Sequence, residues 1–370
     1  MEGTRKYLLE ELKGWAAKEP EQKEGSNTYW IHGLPGIGKT SLAHSICASL
    51  HDERQLAGAF FCRRDDGNLS EPRNILPTLI YKLAIIFPPF RRLVAERLRN
   101  DPNLAPGSMK NSLLLELVHK LLRLPKRTPV LVIDVFDKCG DNRSRPGILR
   151  VLTDAATHAP WLKVIITSRP EFDIQNFFSG LSQSSNLQYD LTADQETTSD
   201  LQIFAQARFN TVAEDRCIEG PWPEKSLLDG VISQAAGLFI FAETIALALE
   251  RCDDLTEYLR ATLQHSAGSG LTSLYKLYSS IVSARRVQKN AEFRRVIAVL
   301  LAAAPHRPLC DKTIATLAGV PPDLVGTWAA DLSSLLYRDE GANGGIRVRH
   351  LSISDFFLRD ECHPDYHVNL

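Results

Sequence analysis

The sequence predicts an α/β protein with a parallel-sheet core, followed by a helical region and a C-terminal winged-helix domain. Three observations support this class. Up to residue 190, short apolar runs typical of buried strands alternate with helical patterns, as in parallel sheets. A glycine-rich loop joins the first of these strands to a helix. Beyond residue 190 the patterns are helical, and a hairpin pattern returns only near the C-terminus.

The first half of the chain supplies the elements of the sheet. Leu8, Leu12 and Trp15 have helical spacing and predict a short amphipathic helix before residue 20. Strands are predicted at TYWIHG (28–33), AGAFFCR (57–63), PVLVID (129–134) and LKVIITS (162–168). Helices are predicted at SLAHSICASL, 74–86, 111–123 and ILRVLTDAA. Since these helices separate the strands, the sheet is expected to be open and parallel.

The second half predicts helices and then one hairpin. The helical segments before residue 265 are SDLQIFAQARF, SLLDGVISQAAG, LFIFAETIALALE and DLTEYLRATL. HSAGSGL (265–271) is rich in Gly and Ser and predicts a boundary. The last hundred residues predict further helices and a β-hairpin around GANGG, which is the order of elements in a winged helix.

Composition excludes several classes of protein. The 370 residues carry a net charge of −1, which gives the whole chain no electrostatic attraction to nucleic acid or to an anionic membrane. No apolar run reaches the ~18 residues of a membrane span, and the N-terminus lacks the pattern of a secretory signal. The seven cysteines are scattered and show no CxxC spacing, as expected for reduced thiols. We therefore expect a cytoplasmic protein with no membrane partner.

The loop GLPGIGKT (33–40) matches G-x-x-x-x-G-K-[ST] in full and lies between a strand and a helix, which is the context that the motif requires. Its glycines allow backbone N–H groups to turn towards phosphate oxygens, at the positive end of the helix dipole. Lys39 suits the β- and γ-phosphates, and the Thr40 hydroxyl suits Mg²⁺. The motif predicts ATP/ADP binding with Mg²⁺ through Gly33, Leu34, Pro35, Gly36, Ile37, Gly38, Lys39, Thr40 and Ser41.

Two further polar residues end predicted strands of the sheet. Asp134 ends the strand LVID, where its carboxylate is expected to help hold Mg²⁺ beside the phosphate loop. Arg169 follows the strand LKVIITS, where a guanidinium is suited to sense a γ-phosphate. The alternative for Arg169 is an ordinary surface arginine after a strand.

These motifs, in this order, resemble the NACHT-type signalling NTPases of the STAND class, and most of all the fungal nephrocystin-like branch. The segments that carry the resemblance are GTRKYLLEELKGW, GLPGIGKTS, AFFCRR, PTLIYKLA, LVIDVFDKCGD, IITSRPEFDI, AAGLFIFAETIALAL and HLSISDFFLRD. The resemblance implies a switch in which an ADP-bound closed form becomes an ATP-bound open form that oligomerises and recruits an effector protein. It also implies that His350 contacts the bound diphosphate.

The resemblance also suggests a division of the chain. We predict an N-terminal helix and connector (1–25), a P-loop NTPase core (26–192), a helical lid domain (193–268) and a winged-helix domain (269–370). Relatives join an effector domain before such a core and a repeat sensor after it. Because these 370 residues show neither pattern, we expect a fragment, a decoy or a subunit that acts in trans.

One position departs from the family pattern. Relatives usually read D-x-x-D-E at the end of the third strand, and here the sequence is LVIDVFDKCG, with Asp137 retained and Lys138 in place of the Glu. A protonated lysine offers donors and no acceptor, so it cannot take a proton from water. We expect Asp137 to act as the base alone and hydrolysis to be slow. In the alternative, Lys138 points into solvent and Asp137 suffices.

Two other functions are weighed against the switch. A DNA-handling AAA+-like ATPase would read DNA with its winged helix, but PPDLVGTWAADLSSLL contains two Asp and no Lys or Arg, and Arg347 and Arg349 on the wing are few. Nucleic acid is therefore not an expected partner. A small-molecule kinase gives no reason for a winged helix. The switch ranks first, with the nucleotide and self-association or an effector protein as its partners.

Overall fold

The computed structural model describes residues 3–18, 26–64, 66–101, 114, 128–182, 186–284, 291–303, 308–339, 344–359 and 366–369. The chain divides into two compact units. The sheet unit consists of Arg5–Leu34 and Lys39–Ala193, and the helical unit of Met1–Thr4, Pro35–Gly38 and Asp194–Leu370. The four-part division inferred from the sequence stays a prediction.

The sheet unit contains the four predicted strands and most of the predicted helices, together with three elements that the sequence pattern did not predict, at 88–100, 172–179 and 187–190. In chain order they are α1 (Lys6–Ala17), β1 (Thr28–His32), α2 (Lys39–Asp52), β2 (Leu56–Phe61), α3 (Ile75–Ile86), α4 (Pro88–Asn100), β3 (Val130–Asp134), α5 (Arg145–His158), β4 (Lys163–Ser168), α6 (Phe172–Ser179) and β5 (Leu187–Asp190). A 3₁₀ turn, Phe136–Lys138, follows β3, and another, Pro72–Asn74, precedes α3. The predicted helix at 111–123 lies outside the described residues, apart from Leu114.

The sheet is parallel and has the strand order β2-β3-β4-β1-β5. Strands β3, β4 and β1 are therefore consecutive neighbours. Because the carboxyl ends of parallel strands meet at one edge of a sheet, the residues that follow these three strands come together there. The predicted α/β class with a parallel sheet is confirmed.

Both faces of the central strands are buried, which explains why their sequences are continuous apolar runs. Side chains alternate between the two faces of a strand. One face contributes to a core with α3, α5 and α6 through Trp30, Leu131, Ile133, Val164 and Ile166. The residues between them are buried as well: Tyr29, Ile31, Val132 and Ile165.

Strand β5 is absent from the sequence prediction. It pairs with β1 at the edge of the sheet, where Tyr29 lies opposite Leu187 and His32 opposite Asp190. Its four residues are mostly exposed. An edge strand with little burial has no apolar run, so the sequence carries no signal for it.

Helix α1 is fixed to the sheet unit by a buried lysine. The Nζ atom of Lys163, the first residue of β4, donates to the carbonyl oxygens of Trp15 and Lys18 at 2.5 and 2.8 Å. A cation placed at the C-terminal end of a helix satisfies carbonyls that have no partner within the helix and interacts favourably with its dipole. Burial lowers the pKa of Lys163 to about 8.

The helical unit is helical up to a C-terminal hairpin. Its elements are α7 (Thr197–Asp215), α8 (Lys225–Ala235), α9 (Phe239–Leu249), α10 (Leu255–His265), α11 (Leu271–Ala284), α12 (Ala291–Ala303), α13 (Asp311–Ala318), α14 (Pro322–Asp331), β6 (Leu336–Asp339), β7 (Gly345–Val348) and α15 (Leu351–Leu358). Strands β6 and β7 are antiparallel, which confirms the predicted hairpin, although residues 340–343 of its turn lie outside the described residues. The winged-helix assignment stays a prediction.

Two further properties of the described residues concern membrane-spanning helices and cysteines. None of their helices is both long enough and apolar enough to cross a bilayer. Six cysteines in these ranges are free thiols: Cys47, Cys62, Cys139, Cys217, Cys252 and Cys310.

Candidate nucleotide-binding site

The loop between β1 and α2 depends on glycine at two positions. Gly36 and Gly38 have φ angles of +81° and +95°, which L-amino acids with a side chain rarely adopt. A Cβ atom on Gly36 would also lie 2.1 Å from Cγ2 of Ile240, within the helical unit. Backbone conformation and space therefore both require glycine at position 36.

Lys39 is the first residue of α2, and its side chain bends back over the loop. The Nζ atom donates to the carbonyl oxygens of Gly33 and Leu34, at 2.7 and 2.8 Å. Burial lowers the pKa of Lys39 to about 8, while the carboxylates of Asp137 and Asp134 oppose the shift. A cation and the first N–H groups of a helix thus lie together after β1, the arrangement that binds a phosphate group.

The other predicted loop residues have different surroundings. Ile37 is buried at 1% exposure, so it anchors the loop by packing. The Leu34 N–H donates to the Thr192 hydroxyl at 3.2 Å. Pro35 is half-buried, and Ser41 is exposed in the first turn of α2. The loop is thus held by one backbone hydrogen bond and by the buried side chain of Ile37.

Asp134 and Thr40, the two predicted magnesium ligands, are neighbours. The carboxylate of Asp134 is buried and accepts hydrogen bonds from the hydroxyls of Thr167 and Thr40. Burial raises the pKa of Asp134, and these hydrogen bonds oppose the shift. Thr40 is exposed. A carboxylate and a hydroxyl side by side suit Mg²⁺, which binds one or two such protein oxygens together with phosphate and water.

Within the described ranges, no cluster of three or more His, Cys, Asp or Glu side chains could hold a metal ion by itself. The donor set around Asp134 is therefore one that needs further oxygens from a ligand. Phosphate oxygens would supply them in a nucleotide complex.

The backbone is strained directly after Asp134. Val135 has φ 53° and ψ 44°, a left-handed conformation that is unfavourable for a β-branched residue. Its N–H donates to the Thr167 hydroxyl at 3.0 Å. Such strain costs about 1–3 kcal/mol and persists where neighbouring contacts enforce it, often at functional sites. Thr167 therefore holds both Asp134 and the strained turn after it.

The side chain of Lys138 is buried and forms an ion pair with Asp137. Its Nζ atom lies 3.0 Å from Oδ2 of Asp137, and the two side chains are 3% and 0% exposed. The alternative in which Lys138 points into solvent is therefore wrong. The 3₁₀ turn Phe136–Lys138 directs both residues inward, which the spacing of charged residues in the sequence does not reveal.

Arg169 completes this group of charges. Its backbone N–H donates to Oδ1 of Asp137 at 2.9 Å, and its Nε atom lies 3.7 Å from Oδ2. Burial acts to raise the pKa of Asp137, but the charges of Lys138 and Arg169 outweigh it and hold the pKa below its usual range. A carboxylate with a lowered pKa and two cationic neighbours is a weak proton acceptor.

Arg145, the first residue of α5, fixes the turn that carries these charges. Its Nη1 atom donates to the Asp137 carbonyl oxygen at 3.0 Å, and its Nε atom lies 3.1 Å from Oδ2 of Asp173. Sequence reasoning identified neither Arg145 nor Thr167. Thr167 carries a usable signal, because it is a polar residue at the end of an otherwise apolar strand. Arg145 carries none, since an arginine at a helix start is usually exposed.

His350 lies near Gly36 within the helical unit. The Ile240 N–H donates to the Gly36 carbonyl oxygen at 3.2 Å, and His350 Cε1 is 3.8 Å from the position of a Cβ atom on Gly36. His350 also caps the N-terminus of α15, because its side chain accepts from the Ser352 N–H. The sequence-predicted residues thus form two groups. Asp134, Asp137, Arg169, Lys39 and Thr40 belong to the sheet unit, and His350 belongs to the helical unit with Gly36.

A comparison with protein-family models finds a match to the first part of the chain. Residues 3–169 match the family model described as nephrocystin 3, N-terminal. This segment is a nephrocystin-like P-loop NTPase. The predicted resemblance to NACHT-type STAND NTPases is thereby confirmed for the part of the NTPase that contains the phosphate loop, Asp134, Asp137 and Arg169. The finer assignment to a fungal branch stays a prediction.

Comparison with solved structures finds distant similarities of the whole chain. The Walker-type ATPase of Pyrococcus abyssi is 12% identical, with 95% of this chain and 94% of that chain covered and a TM-score of 0.40. The STAND protein with a tetratricopeptide repeat sensor from Pyrococcus horikoshii is 14% identical, with 98% and 43% covered and a TM-score of 0.44. Drosophila ORC bound to DNA is 14% identical, with 95% and 85% covered and a TM-score of 0.40.

At these identities and TM-scores, the similarities support no statement about activity or partners. This chain spans less than half the length of the STAND protein from Pyrococcus horikoshii. No match was found among curated proteins.

Proposed function

We propose that this NTPase is a cytoplasmic ATP/ADP-binding switch of the NACHT/STAND type with slow hydrolysis, whose nucleotide state controls an open or closed form and oligomerisation. One observation carries the proposal: the residue that should activate water is replaced by Lys138, whose ammonium lies 3.0 Å from Asp137. A nucleotide site with intact binding residues and a neutralised base favours long-lived binding over turnover.

The binding residues have separate roles in this proposal. Lys39 holds the β- and γ-phosphates, for which its position at the start of α2 is suited. Thr40 and Asp134 hold Mg²⁺, which draws charge from the phosphate oxygens when it is bound. Asp137 keeps Lys138 and Arg169 in place, and it contributes at most weakly as a base because its pKa is lowered.

The direct test is to denature the purified protein and identify the nucleotide that it releases. ADP in close to one copy per chain is the expected result, because a switch purifies in its resting state. A protein that releases no nucleotide and binds none when Mg·ADP is added would contradict the proposal. Release of GDP in place of ADP would contradict the adenine preference alone.

Replacement of Arg169 tests the sensing of the γ-phosphate. Arg169→Ala removes the guanidinium but keeps the backbone N–H that donates to Asp137. ATP binding is expected to weaken about tenfold or more, since a hydrogen bond to a charged group contributes about 1.5–3 kcal/mol, while ADP binding changes little. Isothermal titration with each nucleotide measures both constants. Equal losses for ATP and ADP would leave Arg169 without a sensing role.

Replacement of His350 tests the diphosphate contact. His350→Ala is expected to release ADP several-fold faster, because an imidazole N–H contributes about 0.5–1.5 kcal/mol as a hydrogen-bond donor. The same variant removes the cap of α15, so His350→Asn serves as the matched control: asparagine caps a helix well but has a shorter reach. Stopped-flow displacement of a fluorescent ADP measures the rates. Parent-like release from both variants would show that His350 only caps the helix.

The ATP form is proposed to self-associate or to bind an effector protein. Slow hydrolysis makes this form long-lived, so it can be examined directly. Light scattering after gel filtration is expected to give a larger mass with Mg·ATP than with Mg·ADP. An equal mass in both states, with no change in hydrodynamic radius, would leave the oligomerisation part of the proposal without support.

The structure gives a second reason to place DNA handling below the switch. The arginines of the β6–β7 hairpin have acidic or carbonyl partners within the helical unit. Arg338 forms two hydrogen bonds with Asp311 at 2.7 and 2.8 Å, Arg347 pairs with Asp339 at 2.7 Å, and Arg349 donates to the Ser333 carbonyl oxygen at 2.6 Å. Contact with phosphate groups needs available cations. Fluorescence anisotropy with duplex DNA at low salt is therefore expected to show no binding.

A further inference from the structure

His350 is joined to a buried hydroxyl pair within the helical unit. The Ser352 hydroxyl oxygen lies 2.6 Å from Nδ1 of His350, and the Tyr278 hydroxyl lies 2.8 Å from the Ser352 hydroxyl. Ser352 and Tyr278 are both completely buried. Tyr278 comes from α11 and Ser352 from α15, so the chain of polar groups crosses between two helices before it reaches the imidazole.

One backbone group shows the direction of the protons in this chain. The Ser352 N–H donates to Nδ1 of His350 at 3.2 Å, and a backbone N–H can only donate. Nδ1 is therefore an acceptor and carries no proton. It follows that the Ser352 hydroxyl donates to Nδ1 and that the Tyr278 hydroxyl donates to Ser352. The proton of the neutral ring must then lie on Nε2.

The surroundings of Tyr278 hold this arrangement in place. Its ring packs edge-on against Phe356 of α15, with the centroids 5.7 Å apart and the planes at 71°. Burial raises the pKa of Tyr278 far above its ordinary value, so its hydroxyl stays protonated and remains a donor. A buried polar chain in which every member has a partner is rigid and specifies one geometry.

We propose that Tyr278 and Ser352 are positioning residues that hold His350 as the Nε2–H tautomer, so that the ring presents a donor to a diphosphate. The inference rests on the proposed function, in which His350 contacts that anion. The opposite tautomer would turn a lone pair towards the phosphate oxygens and repel them. Cε1, the ring atom bonded to both nitrogens, is the His350 atom nearest the Cβ position on Gly36, at 3.8 Å.

The tautomer can be read directly from ¹⁵N chemical shifts of a histidine-labelled protein. His350→Ala identifies the resonance of this ring among the ten histidines of the chain. The parent is expected to show the Nε2–H tautomer alone. Tyr278→Phe and Ser352→Ala are each expected to give a mixture of tautomers, because the backbone N–H that remains is 3.2 Å from Nδ1, whereas the closer hydroxyl contact at 2.6 Å is lost in Ser352→Ala and becomes free to reverse in Tyr278→Phe. Both variants should release ADP about two- to tenfold faster, as loss of a hydrogen bond worth about 0.5–1.5 kcal/mol predicts. Ser352→Thr keeps the hydroxyl and should restore both readouts.

The outcomes distinguish failure of the Tyr278–Ser352–His350 inference from failure of the proposed function. An Nδ1–H tautomer in the parent would overturn the inference. An unchanged tautomer in both Tyr278→Phe and Ser352→Ala would also overturn the inference. If His350→Ala nevertheless released ADP faster, the proposed function would stand. Parent-like ADP release from His350→Ala and His350→Asn would overturn the proposed diphosphate contact itself, and the tautomer would then have no role in nucleotide binding. Thermal melting of each variant shows that the fold persists.

Discussion

The Lys39→Ala variant is expected to bind Mg·ATP about tenfold to a hundredfold more weakly than the parent. Hydrogen bonds to a charged group contribute about 1.5–3 kcal/mol, and each 1.4 kcal/mol is a factor of ten in affinity. The Lys39 ammonium also donates to the carbonyl oxygens of Gly33 and Leu34, so its loss removes a contact that shapes the loop. Isothermal titration with Mg·ATP and Mg·ADP measures the effect.

Lys163 provides a matched control for this variant. It is another buried lysine of the sheet unit, its pKa is also lowered by burial to about 8, and it donates to backbone carbonyls. It begins β4, however, whereas the nucleotide site lies at the carboxyl ends of the strands. Lys163→Met is expected to lower the melting temperature and to leave nucleotide affinity unchanged. Parent-like ATP binding by Lys39→Ala would show that the site has been placed wrongly.

The Lys138→Glu variant is expected to hydrolyse ATP at least about tenfold faster than the parent without binding ATP more tightly. The change removes the cation 3.0 Å from Asp137 and provides a carboxylate that can accept a proton from water. Positioned general-base catalysis raises a rate by about 10²–10⁴-fold. The carboxylate that Lys138→Glu introduces lacks surroundings adapted to it, so it should recover only part of this factor. Release of phosphate under saturating Mg·ATP measures the rate.

A neutral variant separates the two effects of this change. Lys138→Gln also removes the cation but supplies no carboxylate, and it is expected to stay as slow as the parent. Equal acceleration by Gln and Glu would show that Asp137 is an adequate base once its ion pair is broken. Both variants remove the ammonium that pairs with the buried carboxylate of Asp137. Melting temperatures with bound Mg·ADP must therefore show that each variant is folded. A parent already as fast as Lys138→Glu would contradict slow hydrolysis.

The sequence alone was enough to predict four of the five strands of the sheet and the glycine-rich loop. GLPGIGKT is a contiguous motif whose chemistry depends on local backbone conformation, so eight consecutive residues suffice to predict it. The apolar runs that became β1, β3 and β4 were recognisable because both faces of these strands are buried. Asp134 and Arg169 followed from the same runs, since a residue that ends a parallel strand reaches the edge where the loop begins.

The burial of Lys138 could be learned only from the folded structure. A lysine after two acidic positions is usually solvated, and no local pattern distinguishes an exposed ammonium from a buried one. Its burial depends on the 3₁₀ turn after β3 and on Arg145, which lies eight residues beyond Asp137 and donates to the Asp137 carbonyl oxygen. Strand β5 and the Tyr278–Ser352–His350 chain also gave no signal in the sequence, for two different reasons. The edge strand lacks an apolar run, and the polar chain joins residues 74 positions apart that only folding brings together.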